Sequence, residues 1–116
     1  MAGISYCVII PTYNNGGTLK KLVAGVQAVC KDIIIVNDGS TDNTDGIISQ
    51  ISNVHLVRYS QNKGKGFALK RGFKKAQELG FEYAVTIDSD GQHEPKNITD
   101  LVAALEEYDH PVLLMG

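Results

Sequence analysis

The chain has 116 residues, of which 43% are hydrophobic and 21% are charged, and its formal net charge is -2 at pH 7. A chain of this length forms one domain, which can bury roughly two thirds of the surface of the unfolded chain. The composition is that of a globular protein, and the slightly negative charge excludes a general attraction to nucleic acid. We find no apolar run of membrane-spanning length, and the N-terminus lacks the positive region of a secretory signal.

Five apolar runs predict β-strands. Residues 6–10, 33–36 and 83–87 are continuously apolar and rich in β-branched side chains, which is typical of parallel strands covered on both faces. Residues 54–59 alternate between apolar and polar side chains, so this strand is expected near an edge of the sheet. Residues 112–115 predict a final strand.

Helical patterns separate these strands. Thr18 is expected to cap the first helix, the second begins at residues 42–44, the third is closed by Gly80 in the left-handed conformation, and a fourth begins near Pro95. Their apolar spacing follows the helical period. The side chains expected to face inward are Leu19, Leu22, Val23, Val26 and Val29, then Ile47, Ile48 and Ile51, then Phe67, Leu69, Phe73, Ala76 and Leu79, and finally Leu101, Val102 and Leu105.

The resulting order, β-α-β-α-β-α-β-α-β, predicts an α/β fold with a doubly wound, mostly parallel sheet. We assign residues 1–116 to a single domain. The last strand has no following helix to cover it, so we expect the chain to be truncated at its C-terminus.

The two cysteines, Cys7 and Cys30, fall in an apolar run and at the end of a predicted helix, without CxxC or paired spacing. We therefore expect both to be reduced structural residues. Reduced cysteines are typical of a reducing compartment, which predicts a cytoplasmic protein.

Polar clusters follow three of the strands, at residues 11–17, 37–42 and 88–93. The carboxyl ends of parallel strands lie at one edge of a sheet, so the three clusters are expected to form one site. Turn chemistry and helix capping account for residues 39–42 as well as a role in ligand binding does. Asp38 stands directly at a strand end, where we expect its carboxylate to bind a ligand through a base N–H or a ribose hydroxyl.

Asp88 and Asp90 lie two residues apart directly after a predicted strand. At about 6 Å and an effective dielectric of about 20, two ionised carboxylates repel by roughly 3 kcal/mol. A bound metal, a nearby Lys or Arg, or exposure to water would offset this repulsion. Magnesium prefers such oxygen ligands, and Gln92 offers another. His93 is expected to support the following turn rather than take part in chemistry.

Residues 62–66, with the letters NKGKG, lead into a basic helix. A glycine-rich helix entry can bind phosphate oxygens, and Lys65 is the expected contact. The spacing does not match a Walker A loop. Lys74 and Lys75, further along the helix, are expected to form a solvated face.

The segments VIIPTYNN, IIIVNDGSTDNT, NKGKGFALKRGF and TIDSDGQHEP together resemble the family 2 inverting, nucleotide-sugar-dependent glycosyltransferases, which have the glycosyltransferase A fold. Within that family, DSDGQH is most similar to the polyprenyl-phosphate and dolichyl-phosphate sugar transferases. The resemblance covers essentially the whole chain. It implies that these residues form the N-terminal, donor-binding half of a hexosyltransferase.

The resemblance also implies the roles of individual residues. Pro11, Thr12, Tyr13 and Asn14 would line the nucleoside pocket, with Asp38 binding base or ribose. By residue type alone, a Tyr13 beside a strand end suits stacking on a base and packing equally well. Asp88, Ser89 and Asp90 would complete the nucleotide-sugar site together with Lys65. The family's metal, Mg²⁺ or Mn²⁺, would be held by Asp88, Asp90 and Gln92. Where the family often has Asp-Asp-Gly-Ser, this chain has Asn37 before Asp38.

The implied reaction is a single displacement at the anomeric carbon, with a UDP-sugar or GDP-sugar as donor and a lipid phosphate among the expected acceptors. The catalytic base of relatives that use a carboxylate would lie beyond Gly116, so the isolated chain is expected to be inactive in transfer. A longer parent protein is expected at the cytoplasmic face of a membrane.

Two other classes remain open from the residues. One is a non-catalytic regulatory domain with an acidic pocket, similar to receiver domains, and the other is a nucleotidyltransferase. The Pro-Thr-Tyr-Asn segment does not suit a receiver domain. Residues 15–17 are a poor version of the glycine-rich loop that a nucleotidyltransferase carries after its first strand.

Overall fold

The computed structural model describes residues 5–87 and the backbone of a short strand at residues 113–115. The predicted helix near Pro95 lies outside the described residues. The strands are β1 Tyr6–Thr12, β2 Ile33–Asp38, β3 His55–Tyr59, β4 Tyr83–Thr86 and β5 Leu113–Met115, and the helices are α1 Gly16–Gln27, α2 Thr44–Ile48 and α3 Lys65–Glu78.

The strands form one sheet in the order β3-β2-β1-β4-β5, and each of these pairings is parallel. β1 lies in the centre, where Val8 is in register with Ile33 of β2 and Val85 of β4. β3 lies at an edge, as its alternating pattern predicted. The α/β fold class and the parallel sheet expected from the sequence are therefore confirmed.

Helices cover both faces of the sheet, because alternate side chains of each strand point to opposite faces. On one face, Val8 and Ile10 of β1 pack with α1 and α2 through Leu19 and Ile48. On the other face, Ile9 and its neighbours pack with α3. The sheet is therefore doubly wound, with α1 and α2 on one side and α3 on the other.

The start of α1 differs from the sequence prediction. The helix begins at Gly16, and Asn15 holds the N-cap position. The hydroxyl of Thr18 donates to the carbonyl of Asn15 from within the first turn, so the expected cap at Thr18 is wrong. A Cβ at Gly16 would lie 2.6 Å from Cδ1 of Ile47, so a larger residue here would have to displace the end of the Ile47 side chain.

Two side chains expected to face inward are exposed instead. Val29 is 38% and Leu79 is 39% exposed. Val29 follows Ala28, the C-cap of α1, and Leu79 is itself the C-cap of α3. The helical stripe no longer determines the direction of a side chain once the helix has ended.

The buried face of α3 consists of small residues, Ala68, Gly72 and Ala76, at a spacing of four. Phe67, Leu69 and Phe73, which were expected inside, are only partly buried. A Cβ at Gly72 would lie 2.6 Å from Cγ2 of Ile9, which shows how closely the helix approaches the sheet. The small residues set this approach, so the larger apolar side chains lie beside the contact.

The end of α3 matches its prediction. Gly80 has a φ of +86°, in the left-handed region. Its N–H donates to the carbonyl of Gln77, and the N–H of Phe81 donates to the carbonyl of Ala76, both at 3.1 Å. These two bonds form a Schellman motif, which a glycine at this position favours.

Both cysteines are buried and free, as the sequence predicted. They lie on opposite faces of the sheet, Cys7 with α3 and Cys30 with α1. Burial is the main cause that raises the pKa of the Cys7 thiol to about 12, and it raises the pKa of Cys30 as well. Both side chains are therefore protonated at neutral pH and pack as small apolar groups. Within the described ranges no helix is long and apolar enough to cross a membrane.

We expect Gly72→Ala to lower the free energy of unfolding by roughly 1–3 kcal/mol, because the added methyl group would displace Ile9 or the helix. Gly66→Ala, in the same helix, is the matched control, since nothing lies within 4 Å of a Cβ there. The control is expected to be neutral or to stabilise by up to about 1 kcal/mol through helix propensity. Urea unfolding of both variants checks this, and equal stability of the two would contradict the close approach of α3.

Candidate functional site

The order of the strands marks one place on the sheet. The chain runs from β1 outward to β2 and β3, and then returns to the other side of β1 for β4 and β5. The direction of winding therefore reverses between β1 and β4. Ligands of open parallel sheets bind at such a point, outside the carboxyl ends of the strands.

Pro11 leaves a gap in the hydrogen-bond ladder between β1 and β4. The N–H of Ile87 donates to the carbonyl of Ile9 at 3.0 Å. The next bond of this parallel ladder would need an N–H from residue 11, which proline lacks. Pro11 and Thr12, expected in the loop, are instead buried residues of β1. The carbonyl of Ile87, the residue before Asp88 in the sequence, therefore receives no bond from position 11.

Thr12, the last residue of β1, is 2% exposed, and its hydroxyl has no hydrogen-bond partner among the described residues. A buried polar atom without a partner costs about 1–3 kcal/mol. Tyr13, which follows, is exposed. The end of β1 therefore has a buried hydroxyl without a partner in the described ranges, followed by an exposed aromatic ring, next to the point where the winding reverses.

Asn14 connects the loop after β1 to the loop after β2. It has a φ of +54°, a left-handed conformation that asparagine tolerates. Its N–H donates to Oγ of Ser40 at 3.0 Å. Its Oδ1 accepts the N–H of Thr41 at 2.8 Å and that of Asp42 at 3.2 Å. The side chain expected to line a nucleoside pocket thus also holds two loops of that pocket together.

Asp38, the last residue of β2, is only 4% exposed. Its Oδ1 accepts the N–H of Lys63 at 2.8 Å. Its Oδ2 accepts the N–H of Gly64 at 2.9 Å and Nδ2 of Asn62 at 2.8 Å. We call these four residues the Asp38 cluster. The carboxylate expected to bind a ligand therefore also fixes the loop that leads into α3.

Gly39 brings the same two loops into backbone contact. It has a φ of +67°, and a Cβ there would lie 2.3 Å from the nitrogen of Asn62 and 2.4 Å from the carbonyl carbon of Gln61. Both atoms belong to the backbone and have no side-chain freedom to move away. Glycine is therefore required here by sterics as well as by conformation.

Turn and capping contacts account for much of residues 37–44. Oδ1 of Asn37 accepts the N–H of Ser40 at 3.2 Å. Oδ1 of Asp42 accepts the N–H of Thr44 at 2.9 Å and also its hydroxyl, at the start of α2. The turn-chemistry interpretation of this segment is consistent with these bonds.

The buried Asn37 also donates through Nδ2 to Oδ1 of Asp45 at 2.6 Å. An aspartate at position 37 would have no proton to donate to this carboxylate at neutral pH. The chain therefore uses an amide where the family often has a carboxylate, and Asp45 of α2 is the structural partner that matches this choice.

Lys65 is the first residue of α3 and is exposed. It follows the Asp38 cluster directly, so the positive end of the helix lies at the carboxyl edge of the sheet. The first turn of α3 contains no acidic residue. This placement suits the predicted contact with phosphate, which stays a prediction.

Sequence reasoning missed a cluster formed by Tyr59, Phe67 and Arg71. The two rings meet edge to face with centroids 5.1 Å apart, and the guanidinium carbon of Arg71 lies 5.7 Å from the Tyr59 centroid. The Tyr59 hydroxyl is buried without a partner among the described residues. Burial, together with the nearby charge of Asp38, raises its pKa. The four-residue spacing of Phe67 and Arg71 indicates that the two side chains are neighbours on α3. The sequence does not show that Tyr59 of β3 packs against them.

The remaining predicted site residues, Asp88, Ser89, Asp90 and Gln92, lie outside the described residues, and so does His93. In residues 5–87 no group of three or more His, Cys, Asp or Glu side chains is arranged to hold a metal ion. The predicted metal ligands therefore stay a prediction that rests on the sequence after Ile87.

The sequence matches the family model described as glycosyl transferase family 2 over residues 7–116. A UDP-N-acetylglucosamine--dolichyl-phosphate N-acetylglucosaminyltransferase of Methanococcus voltae is 39% identical over 82% of this chain and 45% of its own length. A polyprenol monophosphomannose synthase of Mycolicibacterium smegmatis is 32% identical over 85% of this chain and 40% of its own. An undecaprenyl-phosphate 4-deoxy-4-formamido-L-arabinose transferase of Proteus mirabilis is 32% identical over 88% of this chain and 34% of its own length.

A doubly wound parallel sheet with polar loops at its reversal point is typical of nucleotide-binding domains. The match over nearly the whole chain shows more: the chain belongs to glycosyl transferase family 2. The resemblance to polyprenyl-phosphate and dolichyl-phosphate sugar transferases is confirmed by the names of these relatives. Family membership decides against the receiver-like and nucleotidyltransferase interpretations. The chain spans less than half the length of these relatives.

We expect Asn37→Asp to lower the free energy of unfolding by roughly 1–3 kcal/mol, because two carboxylates would then face each other without a shared proton. Asn37→Asp combined with Asp45→Asn restores a donor to the pair and should recover most of this loss. A double-mutant cycle from urea unfolding at pH 7 measures the coupling. Additive effects of the two substitutions would contradict a direct contact between the side chains.

The Asp38 cluster can be tested by removing one of the donors instead of the carboxylate. Asn62→Ala removes the bond to Oδ2 without touching the carboxylate, and we expect a loss of about 1 kcal/mol in unfolding free energy. Amide hydrogen exchange at Lys63 and Gly64 should become faster, because their acceptor is less well fixed. Gln61→Ala, with an exposed side chain in the same loop, is the control. Unchanged exchange in Asn62→Ala would mean that the carboxylate does not fix the loop.

Proposed function

We propose that this chain is the donor-binding part of an inverting glycosyltransferase that takes a sugar from a UDP-sugar or a GDP-sugar with the help of Mg²⁺ or Mn²⁺. The carrying observation is the reversal of strand order between β1 and β4, where β1 ends in the buried Thr12 hydroxyl and β4 leads in the sequence to Asp88-Ser89-Asp90. Family membership supports the reaction class.

The nucleoside part of the donor is proposed to bind between Pro11, Tyr13 and Asp38. An ionised carboxylate has about four acceptor sites, and the Asp38 cluster uses three of them. The loop leaves one acceptor site on Oδ1 beside the N–H of Lys63, and the Tyr59 hydroxyl lies near the same carboxylate. A base N–H or a ribose hydroxyl would fill it. Asp38 would thus hold the loop and bind the nucleoside at the same time.

The diphosphate is proposed to bind further along the same edge. Asp88, Asp90 and Gln92 would hold the divalent cation, which when bound neutralises the negative charge on the leaving nucleoside diphosphate. Lys65 and the positive end of α3 would contact the phosphates from the other side. The Asp38 cluster then has a second consequence, because it fixes the position at which α3 begins.

The acceptor is proposed to be a polyprenyl phosphate, since relatives are named for dolichyl phosphate, polyprenol and undecaprenyl phosphate. The parent protein would then act at the cytoplasmic face of a membrane, an assignment that the free cysteines also favour. Because the chain spans less than half of these relatives, the catalytic base and the acceptor site are proposed to lie in the remainder of the parent protein.

Calorimetric titration with UDP and with GDP, each with and without Mn²⁺ or Mg²⁺, tests the proposal. We expect one nucleotide to bind in a metal-dependent way, and Asp90→Ala to weaken this binding at least tenfold. Glu82→Ala is the matched control, because it removes an exposed carboxylate just before β4. The control should bind like the wild type.

Three results would count against the proposal. Absence of nucleotide binding by a folded chain would contradict a donor site, and binding independent of both metal and Asp90 would contradict the assigned metal ligands. Sugar transfer by the isolated 116-residue chain would show that the catalytic base lies within it.

A further inference from the structure

A groove of about 360 Å³ lies between the edge strand β3 and helix α3. It is lined by Leu56 and Val57 of β3, and its charged side chains are Arg58, Arg71, Lys74, Lys75 and Glu78. The groove therefore brings together four cations and one carboxylate, in a chain whose net charge is -2. The sequence predicted only a solvated face for Lys74 and Lys75.

The groove is separate from the candidate donor site. α3 begins at the carboxyl edge of the sheet, where Gly64 is bound to Asp38, and runs back along the sheet. Lys74 and Lys75 lie nine and ten residues after Lys65, which is about 15 Å along the helix axis. A ligand in the groove would leave the carboxyl edge of the sheet open.

The charge on α3 is not balanced within the helix. Lys70 and Lys74, and likewise Arg71 and Lys75, lie four residues apart, a spacing at which like charges destabilise a helix. Glu78 is the only acidic residue of α3. A helix that keeps such a set of cations together gains from an anion supplied by another molecule.

Arg71 is held in place for this role. Its guanidinium carbon lies 5.7 Å from the ring centroid of Tyr59 and 6.0 Å from that of Phe67. Contact with two rings restricts the side chain. A planar guanidinium matches the oxygens of a phosphate group through paired hydrogen bonds.

We propose that this groove binds the phosphate headgroups of an anionic lipid surface and holds the domain against a membrane by its flank. The inference rests on the proposed function, because a lipid-linked acceptor brings the enzyme to a bilayer. The carboxyl edge of the sheet stays accessible to a nucleotide.

Cosedimentation of the 116-residue chain with vesicles tests this proposal. We expect binding to vesicles of phosphatidylglycerol and phosphatidylcholine, and none to vesicles of phosphatidylcholine alone. The double variant Lys74→Gln/Lys75→Gln should bind roughly tenfold more weakly or worse, since each cation near an anionic surface contributes severalfold to affinity. Higher salt should weaken binding of the wild type.

The matched control is Lys20→Gln/Lys21→Gln, which removes two exposed cations from α1 on the other face of the sheet. It should bind vesicles like the wild type. An equal loss in both double variants would show a general charge effect and overturn the proposal, as would absence of binding to the anionic vesicles.

Two further measurements separate the alternatives. Calorimetry with inorganic pyrophosphate at an equal salt concentration detects a soluble ligand. The lipid assignment would be overturned if the wild type bound pyrophosphate but not vesicles, and if Lys74→Gln/Lys75→Gln lost the pyrophosphate binding. The groove would then be assigned to a soluble phosphate. Metal-dependent nucleotide binding should be the same in both double variants. Lost vesicle binding with intact nucleotide binding would therefore separate failure of the groove from failure of the donor site.

Discussion

The carboxylate of Asp38 is the contact on which the arrangement of the site depends. It is buried at the end of a central strand and accepts three hydrogen bonds from residues 62–64, which lie more than 20 positions away in the chain. A buried carboxylate is stable only when its oxygens are satisfied in this way. The bonds join β2 to the start of α3, and Gly39 lets the two loops touch. The same group thereby sets the position of the positive helix end at the carboxyl edge of the sheet.

The fold could be predicted from the sequence because its main signals are local. Continuous apolar runs identify the central strands, alternation identifies β3 as an edge, and Gly80 identifies the end of α3. The packing of α3 could not be predicted in the same way. Its contact face is set by Gly72 and by the space above Ile9, and a hydrophobic stripe favours large side chains for that role.

For the candidate site, the sequence indicated residues at the strand ends but not the partners that these residues have in the fold. Residue types at strand ends identified Asp38 and the segment at residues 11–14, because carboxyl ends of parallel strands converge. The partners of these residues were not predictable, since Asn14 binds the loop at residues 40–42 and Asn37 binds Asp45 only after the chain has folded. The pairing of Asn37 with Asp45 gives the amide at position 37 a structural partner in this chain.

Pro11 has a consequence for the joint between β1 and β4. The N–H of Ile87 donates to the carbonyl of Ile9, but the carbonyl of Ile87 receives no bond from residue 11, because proline has no amide hydrogen. This gap in the ladder is covalent, so it does not depend on temperature, pH or the presence of a ligand. A residue with a backbone N–H at this position would join the two strands by one further bond, at the edge of the sheet where a diphosphate is proposed to lie.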